Sequence, residues 1–351
     1  MKDDIVVSII CCCYNQKEYI KSCLEGFISQ KTNFKYEVLI HDDASDDGTI
    51  ELLEEYQIRF PDIITLFKEE HNRYNEPHIS YAYEFGLLHA KGKYVAICEG
   101  DDCWINPNKL QIEIDYLESN TSCGLVYTDA IAYNVSKQKF IKNTIAYKCE
   151  DLSTLLAGNG IPTATVCFRK SLGIGYFEEV KPWLKGWKMG DYPLWLWISE
   201  RNGIKYIPDI TTCYRELEES ASHTKDKDKR LAFEKSIYDI RKFFLMRGSV
   251  PENKVDDYYL RYRYARYELE QGYTQMKARE MREYINKSKV SSNKLSVVYV
   301  ASLSKWLFNI YIKALKFVNG AKYVDKPDTG IPNMDVYAMC AVGKVCDEVG
   351  L

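Results

Sequence analysis

The chain has 351 residues, 46% of them apolar, enough for one large core and an appendage and too many for a disordered chain. Its net charge of −3 conceals an asymmetry: residues 225–318 hold 21 Lys and Arg against 11 Asp and Glu, so the remainder sums to −13 and the two parts call for different partners. No uncharged apolar run reaches 18 residues, which excludes a spanning helix, and the polar start Met1-Lys2-Asp3-Asp4 carries no signal peptide, so a cytoplasmic location is expected.

Ile5 to Cys12 is a continuous apolar, β-branched run that predicts a buried strand, ended by Tyr14-Asn15-Gln16. Twelve cysteines, Cys11-Cys12-Cys13 among them, include no C-x-x-C pair and are expected as reduced core residues, not a disulfide framework or zinc site. Tyr19, Ile20, Cys23, Leu24, Phe27 and Ile28 form one helical stripe. A second strand, Tyr36 to Ile40, ends in the acidic turn His41 to Thr49, where Asp46 or Asp47 is expected to cap a helix running to Phe60. Ile63 to Phe67 predicts a strand, His71 to Pro77 a loop, and Ile79 to Ala90 a helix closed by Lys91-Gly92.

A fourth apolar run, Tyr94 to Cys98, leads into Glu99, Asp101 and Asp102, with Gly100 allowing a close approach of backbone or phosphate. Strand and helix alternate four times in a hundred residues, which predicts a parallel sheet covered by helices. Ligands of such sheets bind beyond the carboxyl ends of the strands, which places both acidic turns on one rim. Clustered carboxylates in a cleft repel one another, and hard oxygen ligands suit Mg²⁺ or Mn²⁺.

Val7-Ser8-Ile9-Ile10 through Tyr14-Asn15, then Asp42-Asp43-Ala44-Ser45-Asp46-Asp47-Gly48-Thr49, then Glu99-Gly100-Asp101-Asp102, resembles the GT-A fold family 2 glycosyltransferases in the order and spacing of three motifs. The likeness covers residues 5–224. It implies an α/β GT-A domain over 1–224, with a helical, basic and amphipathic extension over 225–351. It further implies an inverting, metal-dependent transferase that moves a sugar from a nucleotide-sugar, a UDP-sugar in the first instance, to a glycan or lipid-linked acceptor in surface polysaccharide synthesis. Carried over by position, Cys13, Tyr14, Asn15, Asp42, Asp43 and Ser45 would meet the nucleotide. Glu99 and Asp101 would stand at the two ends of the metal motif, around Gly100. Three positions depart from the family pattern: Cys12 replaces a proline, Ala44 a glycine and Glu99 an aspartate.

Trp104 to Pro107 predicts a turn, Asn108 to Ser119 a helix, and Gly124 to Thr128 a strand ended by Asp129. Thr163 to Phe168 is strand-like, Thr163 a candidate for the donor pocket and Arg169 a surface residue. Asp191 opens the aromatic run Tyr192 to Trp197: either it caps a helix with Pro193 in the first turn, or, as the resemblance implies, it is the general base. Trp183, Trp187 and Trp195 are expected in the core or on sugar faces. Gly203 to Tyr214 predicts a last strand. Arg215 and His223, in a lid-like segment, are then candidates for phosphate or metal contact.

Leu231 to Met246 and Val255 to Tyr284 have helical patterns. Their interleaved Tyr and Arg come with no RNA-binding motif, so nucleic acid is not expected. Leu295 to Val318 is apolar with Lys305, Lys313 and Lys316; a peripheral membrane contact, burial against the catalytic part and a homodimer all fit it. Two other readings exist for the whole: a non-catalytic nucleotide-sugar-binding or scaffold protein, and a calcium loop over Asp43, Ser45, Asp47, Gly48, Ile50 and Glu54, though a strand precedes it where that motif needs a helix.

Overall fold

A computed structural model of the chain describes residues 4–73, 81–180, 186–218, 226–248, 250–319, 323–324 and 340. His223 and Trp183 lie outside the described residues. The first part alternates strand and helix: β1 (Ile5–Cys13), α1 (Lys17–Ile28), β2 (Lys35–Asp42), α2 (Thr49–Arg59), β3 (Ile64–Lys68), α3 (Tyr81–His89) and β4 (Tyr94–Ile97). The middle holds β5 (Cys103–Trp104), α4 (Lys109–Ser119), β6 (Cys123–Asn134), β7 (Lys139–Ile141), α5 (Leu152–Ala157), β8 (Val166–Arg169), α6 (Lys170–Val180), α7 (Asp191–Arg201) and β9 (Gly203–Glu216). Then follow α8 (Lys227–Arg247), α9 (Asp257–Gln271), α10 (Gln275–Lys287), α11 (Asn293–Ala301), α12 (Lys305–Asn319) and the short β10 (Tyr323–Val324).

One sheet runs in the order β10-β7-β6-β8-β4-β1-β2-β3, with β9 beside β6 and β5 beside β9. The four strands β4, β1, β2 and β3 are parallel, as the alternation predicts; β8 is antiparallel to both β4 and β6, so the other half of the sheet is mixed. Because successive side chains of a strand face opposite ways, each apolar run supplies two faces. Val7, Ile9 and Cys11 join Val38, Ile40, Tyr94 and Ala96 under α1, α2 and α4. Ile10 joins Leu39, Val95 and Ile97 under helices α3, α5, α6, α7 and α8. All eleven described cysteines are free thiols, and ten of them are buried.

Several elements differ from expectation. β6 runs on past Asp129, because Oδ1 of that aspartate accepts from the Ala130 and Ala146 amides while Oδ2 accepts from the Tyr206 hydroxyl. The pairing of β6 with β9 shifts register there, so the strand survives its polar residue as a bulge. The expected helix 255–284 is two helices, divided where Thr274 caps α10 by accepting from the Lys277 amide. Arg169 is not a surface residue: its guanidinium donates to the carbonyls of Cys123, Leu117 and Asn120, and to the Tyr94 hydroxyl. Beyond Lys225, Ile240, Phe244, Val255 and Leu260 join the sheet's own core. A separate small core, with Tyr262, Leu269, Met281, Val298 and Phe308, holds α9 to α12 together.

Candidate active site

In the strand order β4-β1-β2-β3 the chain leaves β1 first to one side and later returns to the other, so the crevice opens beyond the carboxyl ends of β1 and β4. Both acidic turns meet there. The Gly100 amide donates to the Cys12 carbonyl (3.0 Å) and the Asp43 amide to the Cys13 carbonyl (3.0 Å), so the ends of β1, β2 and β4 are laced into one rim.

The second turn is rigid. Asn15, at φ 52°, donates its amide to Ser45 Oγ (2.9 Å) and exchanges side-chain and backbone bonds with Asp46. Asp47 accepts from the Lys17 amide (3.0 Å) and from Thr49. Asp46 thus holds Asn15 ahead of α1, and Asp47 accepts from the first amides of both α1 and α2, where unpaired amides favour negative charge; the residue before α2 is Gly48 at φ 99°. The calcium reading fails here: strand β2 enters the loop, and Glu54 pairs with Lys68 at 2.7 Å.

The nucleotide candidates divide. Asp42 is fully buried, and its two oxygens accept from the amide (2.9 Å) and hydroxyl (2.5 Å) of Ser45. The Cys13 thiol is buried against Asp42 Oδ1. Both side chains brace the rim. Tyr14 is 45% exposed, and Asp43 is half-buried with Oδ1 accepting from the Arg73 amide. Gly100 is needed for packing: a Cβ there would sit 2.9 Å from Cys13 and Ile20 side-chain carbons.

A cleft of about 570 Å³ gathers Glu99, Asp101, Asp102 and Asp191 with Tyr83, Thr163, Lys188 and Tyr214. Lys188 is the one basic residue in its lining among the described residues. Burial, with Asp101 and Asp191 nearby, pushes the Glu99 carboxyl up to about 7 against the pull of the Tyr83 hydroxyl, which donates to Glu99 Oε1 at 2.5 Å. Burial also raises Asp101, and raises Asp102 well above the ordinary carboxylate range with Asp101 and Glu99 adding to it. Asp191 is the first residue of α7, after Gly190 as cap; it accepts from Thr163 Oγ1 on Oδ2 (2.5 Å) and from the Tyr192 amide on Oδ1 (2.7 Å). Trp187 and Trp195 are core residues.

Arg215 is buried, and not at the cleft. Its guanidinium donates to the Asp101 carbonyl (2.7 Å), Ser22 Oγ (2.7 Å) and the Cys340 carbonyl (3.2 Å), and its amide donates to Asp102 Oδ1 (2.8 Å). It fixes the acidic turn from behind. Beside it Cys103, Cys213 and Cys340 form the one group of His, Cys, Asp and Glu ligand atoms within 4.8 Å of one another found among the described residues. Cys213, Cys340 and then Arg215 hold the Cys103 thiol well below its ordinary value. No spacing in the sequence signals this cluster, because residues 103, 213 and 340 meet only through the fold. Tyr83 and Lys188 were equally unmarked: each is an ordinary member of a helical or loop segment until α3 and α7 are packed. No three of the carboxylates Glu99, Asp101, Asp102 and Asp191 come together as such a group.

The family model for glycosyl transferase family 2 matches residues 8–172. The chain is 34% identical over 167 residues to an uncharacterised protein of Mycobacterium tuberculosis, 47% of this chain and 47% of that one; it thus spans about half the length of that relative. It is 31% identical over 231 residues to the Escherichia coli UDP-Glc:alpha-D-GlcNAc-diphosphoundecaprenol beta-1,3-glucosyltransferase WfgD, covering 64% of this chain and 83% of that one. Among solved structures, residues 1–349 of Staphylococcus aureus TarS with UDP-GlcNAc share the fold at TM-score 0.58 and 13% identity, over 92% of this chain and 100% of that one. The mannosyltransferase PcManGT of Pyrobaculum calidifontis, with GDP-Man and Mn²⁺, does so at 0.50 and 16%, over 89% and 84%. Three motifs on one rim, a GT-A sheet around them and a relative matched over most of its length lead to one assignment: the chain belongs to glycosyl transferase family 2.

Proposed function

We propose that the protein is a metal-dependent, inverting glycosyltransferase that moves a hexosyl or N-acetylhexosaminyl group from a UDP-sugar to a lipid-linked glycan acceptor at the inner face of the cell membrane, in surface polysaccharide synthesis. The observation that carries it is the cleft shared by Asp191 with Glu99 and Asp101. The donor and acceptor classes follow the relative whose name states both, a UDP-glucose donor and a diphosphoundecaprenol-linked acceptor. Tyr14, Asn15, Asp43 and Ser45, at the carboxyl ends of β1 and β2, would meet the nucleotide. Asp101, with Glu99, would hold Mg²⁺ or Mn²⁺, which as a Lewis acid offsets the charge growing on the departing diphosphate. Asp191 takes the proton of the acceptor hydroxyl as that oxygen attacks the anomeric carbon and the nucleoside diphosphate leaves. Thr163 and the Tyr192 amide orient the carboxylate for that transfer.

Two variants test this. Asp101→Ala should abolish Mn²⁺-dependent thermal stabilisation by UDP-sugars, because a ligand stabilises only the form it binds. Asp191→Asn should keep that stabilisation and lose transfer by roughly 10²–10⁴-fold. Near-normal turnover of Asp191→Asn would remove the base assignment. Donor binding without turnover in the wild type, across lipid-linked and free glycan acceptors, would favour the binding or scaffold reading.

A further inference from the structure

The cleft leaves one large feature of the molecule unused. Helices α11 and α12 bury Leu295, Val298 and Phe308 in the small C-terminal core, yet their other side is apolar too. Val297, Val300, Leu303, Trp306, Ile310 and Phe317 are all exposed, Trp306 by 70% and Phe317 by 88%. In α12 the exposed positions 306, 310, 313 and 317 recur at helical spacing, so Trp306, Ile310 and Phe317 share a stripe with Lys313. Soluble surfaces scatter such residues singly; a row of them on one hairpin marks an interaction site.

Charge identifies the occupant. Between Glu283 and Asp325 there is no carboxylate in the chain, while Lys287, Lys289, Lys294, Lys305, Lys313 and Lys316 all fall there. Lys305, Lys313 and Lys316 are exposed on α12 itself. Between α10 and α11, a recess of about 370 Å³ is lined by Tyr299 of α11 and by Arg279, Arg282, Glu283 and Lys287 of α10. Glu283 there is neutralised by Lys287 at 2.5 Å, and Arg282 is steadied by the Ser302 carbonyl, so the recess keeps a positive balance. Apolar side chains edged by cations suit a surface that offers acyl chains beneath anionic headgroups. A second copy of the same face would set lysine against lysine. Crossing the bilayer is not the geometry: α12 has 15 residues, or roughly 22 Å of helix against about 30 Å of hydrocarbon, and no helix among the described residues is long and apolar enough to span.

We propose that the α11–α12 hairpin is a membrane-docking surface that lies in the interface of an anionic phospholipid bilayer, with Trp306 and Phe317 inserted, the lysines over the headgroups and the Arg279–Arg282 recess on a headgroup phosphate. The surface is independent of the chemistry assigned to the cleft, and its test needs no donor or acceptor. The full chain is sedimented with vesicles of phosphatidylglycerol and phosphatidylcholine, and with phosphatidylcholine alone. Binding is expected to the anionic vesicles and to be lost at about 0.5 M salt, where charges are screened over a few ångströms. Trp306→Glu with Phe317→Glu should weaken binding at least roughly tenfold, and Lys305→Glu, Lys313→Glu and Lys316→Glu together roughly a hundredfold. All five positions are exposed, so a retained circular dichroism spectrum and melting curve separate lost docking from lost folding. No sedimentation of the wild type with anionic vesicles overturns the proposal, as does binding indifferent to these changes. So does a wild-type dimer, by light scattering, that the Trp306 and Phe317 changes convert to monomer without any vesicle binding, since a second copy is then the occupant.

Discussion

Glu99 stands where it must be charged to hold a cation and where the protein makes charging it costly. Its carboxyl, at about 7 in the folded chain, lies well above the ordinary value of 4.5. A raised carboxyl stabilises the fold fully below the unfolded value, and that contribution is lost as pH rises through the folded one. The metal-free protein should therefore lose stability between about pH 4.5 and 7, by up to about 3 kcal/mol from this residue. Glu99→Gln should flatten that part of the profile in denaturant titrations. Stabilisation by Mn²⁺ should show the opposite slope and grow over the same window, because the ion needs the deprotonated ligand. Tyr83→Phe removes the hydroxyl that favours the charged form, so the Mn²⁺ response should move to higher pH; a response unmoved in both variants would show that Glu99 is not near the ion. At this scale the sequence was a partial guide. It placed Glu99, Asp101 and Asp102 at a strand end and Asp191 at a possible helix start, and the cleft gathers all four, but residue type does not say which way a side chain points. Asp42 and Arg215, candidates for the nucleotide and a phosphate, are each held by protein partners: Ser45 for the one and the Asp101 carbonyl for the other.

At the scale of elements, apolar runs and helical stripes locate what lies under helices, so β1 to β4 were legible almost to the residue. The mixed half was less so, because strands such as β6, β8 and β9 are defined by partners distant in the chain. β5 is two residues long, overlaps the expected turn only at Trp104, and exists because Cys103 and Trp104 pair with Cys213 and Thr212. This small pairing matters to the cleft. It brings β9 against the acidic turn, where Arg215 links the Asp101 carbonyl, Ser22 of α1 and residue 340. Arg215→Met keeps much of the bulk and strands two buried carbonyls without their donors, each costing about 1–3 kcal/mol. The expected loss is about 3–5 kcal/mol in urea unfolding, together with weaker Mn²⁺ binding as the turn loosens. A variant that kept its stability but lost only donor affinity would instead place Arg215 in contact with the donor. Gly26 reports on the same junction: a Cβ there would meet the Trp104 carbonyl at 2.7 Å, so Gly26→Ala should lower stability by about 1–3 kcal/mol by forcing α1 off β5.

The whole molecule joins three regions that the linear sequence keeps apart: an acidic rim, a basic helical extension and residue 340. Composition showed the first two as blocks of charge, and α8 packs on the sheet's core and so ties the start of the extension to it. Residue 340 was invisible to any motif. Its thiol is buried with Cys103, Cys213, Ile105, Ile131 and Phe140, and its carbonyl accepts from Arg215, whose guanidinium also donates to the carbonyl of Asp101. A position near the far end of the chain thus completes the support of a turn at residue 101. Cys340→Ala removes the sulfur and leaves the carbonyl, so the loss should be modest, about 1–2 kcal/mol, with Mn²⁺ affinity little changed. Cys340→Asp sets a carboxylate into the same buried pocket, where desolvation opposes it and where it would draw the Arg215 guanidinium away from the Asp101 carbonyl. It should cost more than about 3 kcal/mol and lower donor binding with it, although no atom of residue 340 lines the cleft. Equal thermal stability and equal Mn²⁺ dependence in the wild type and Cys340→Asp would show that the turn does not draw its rigidity from this end of the chain.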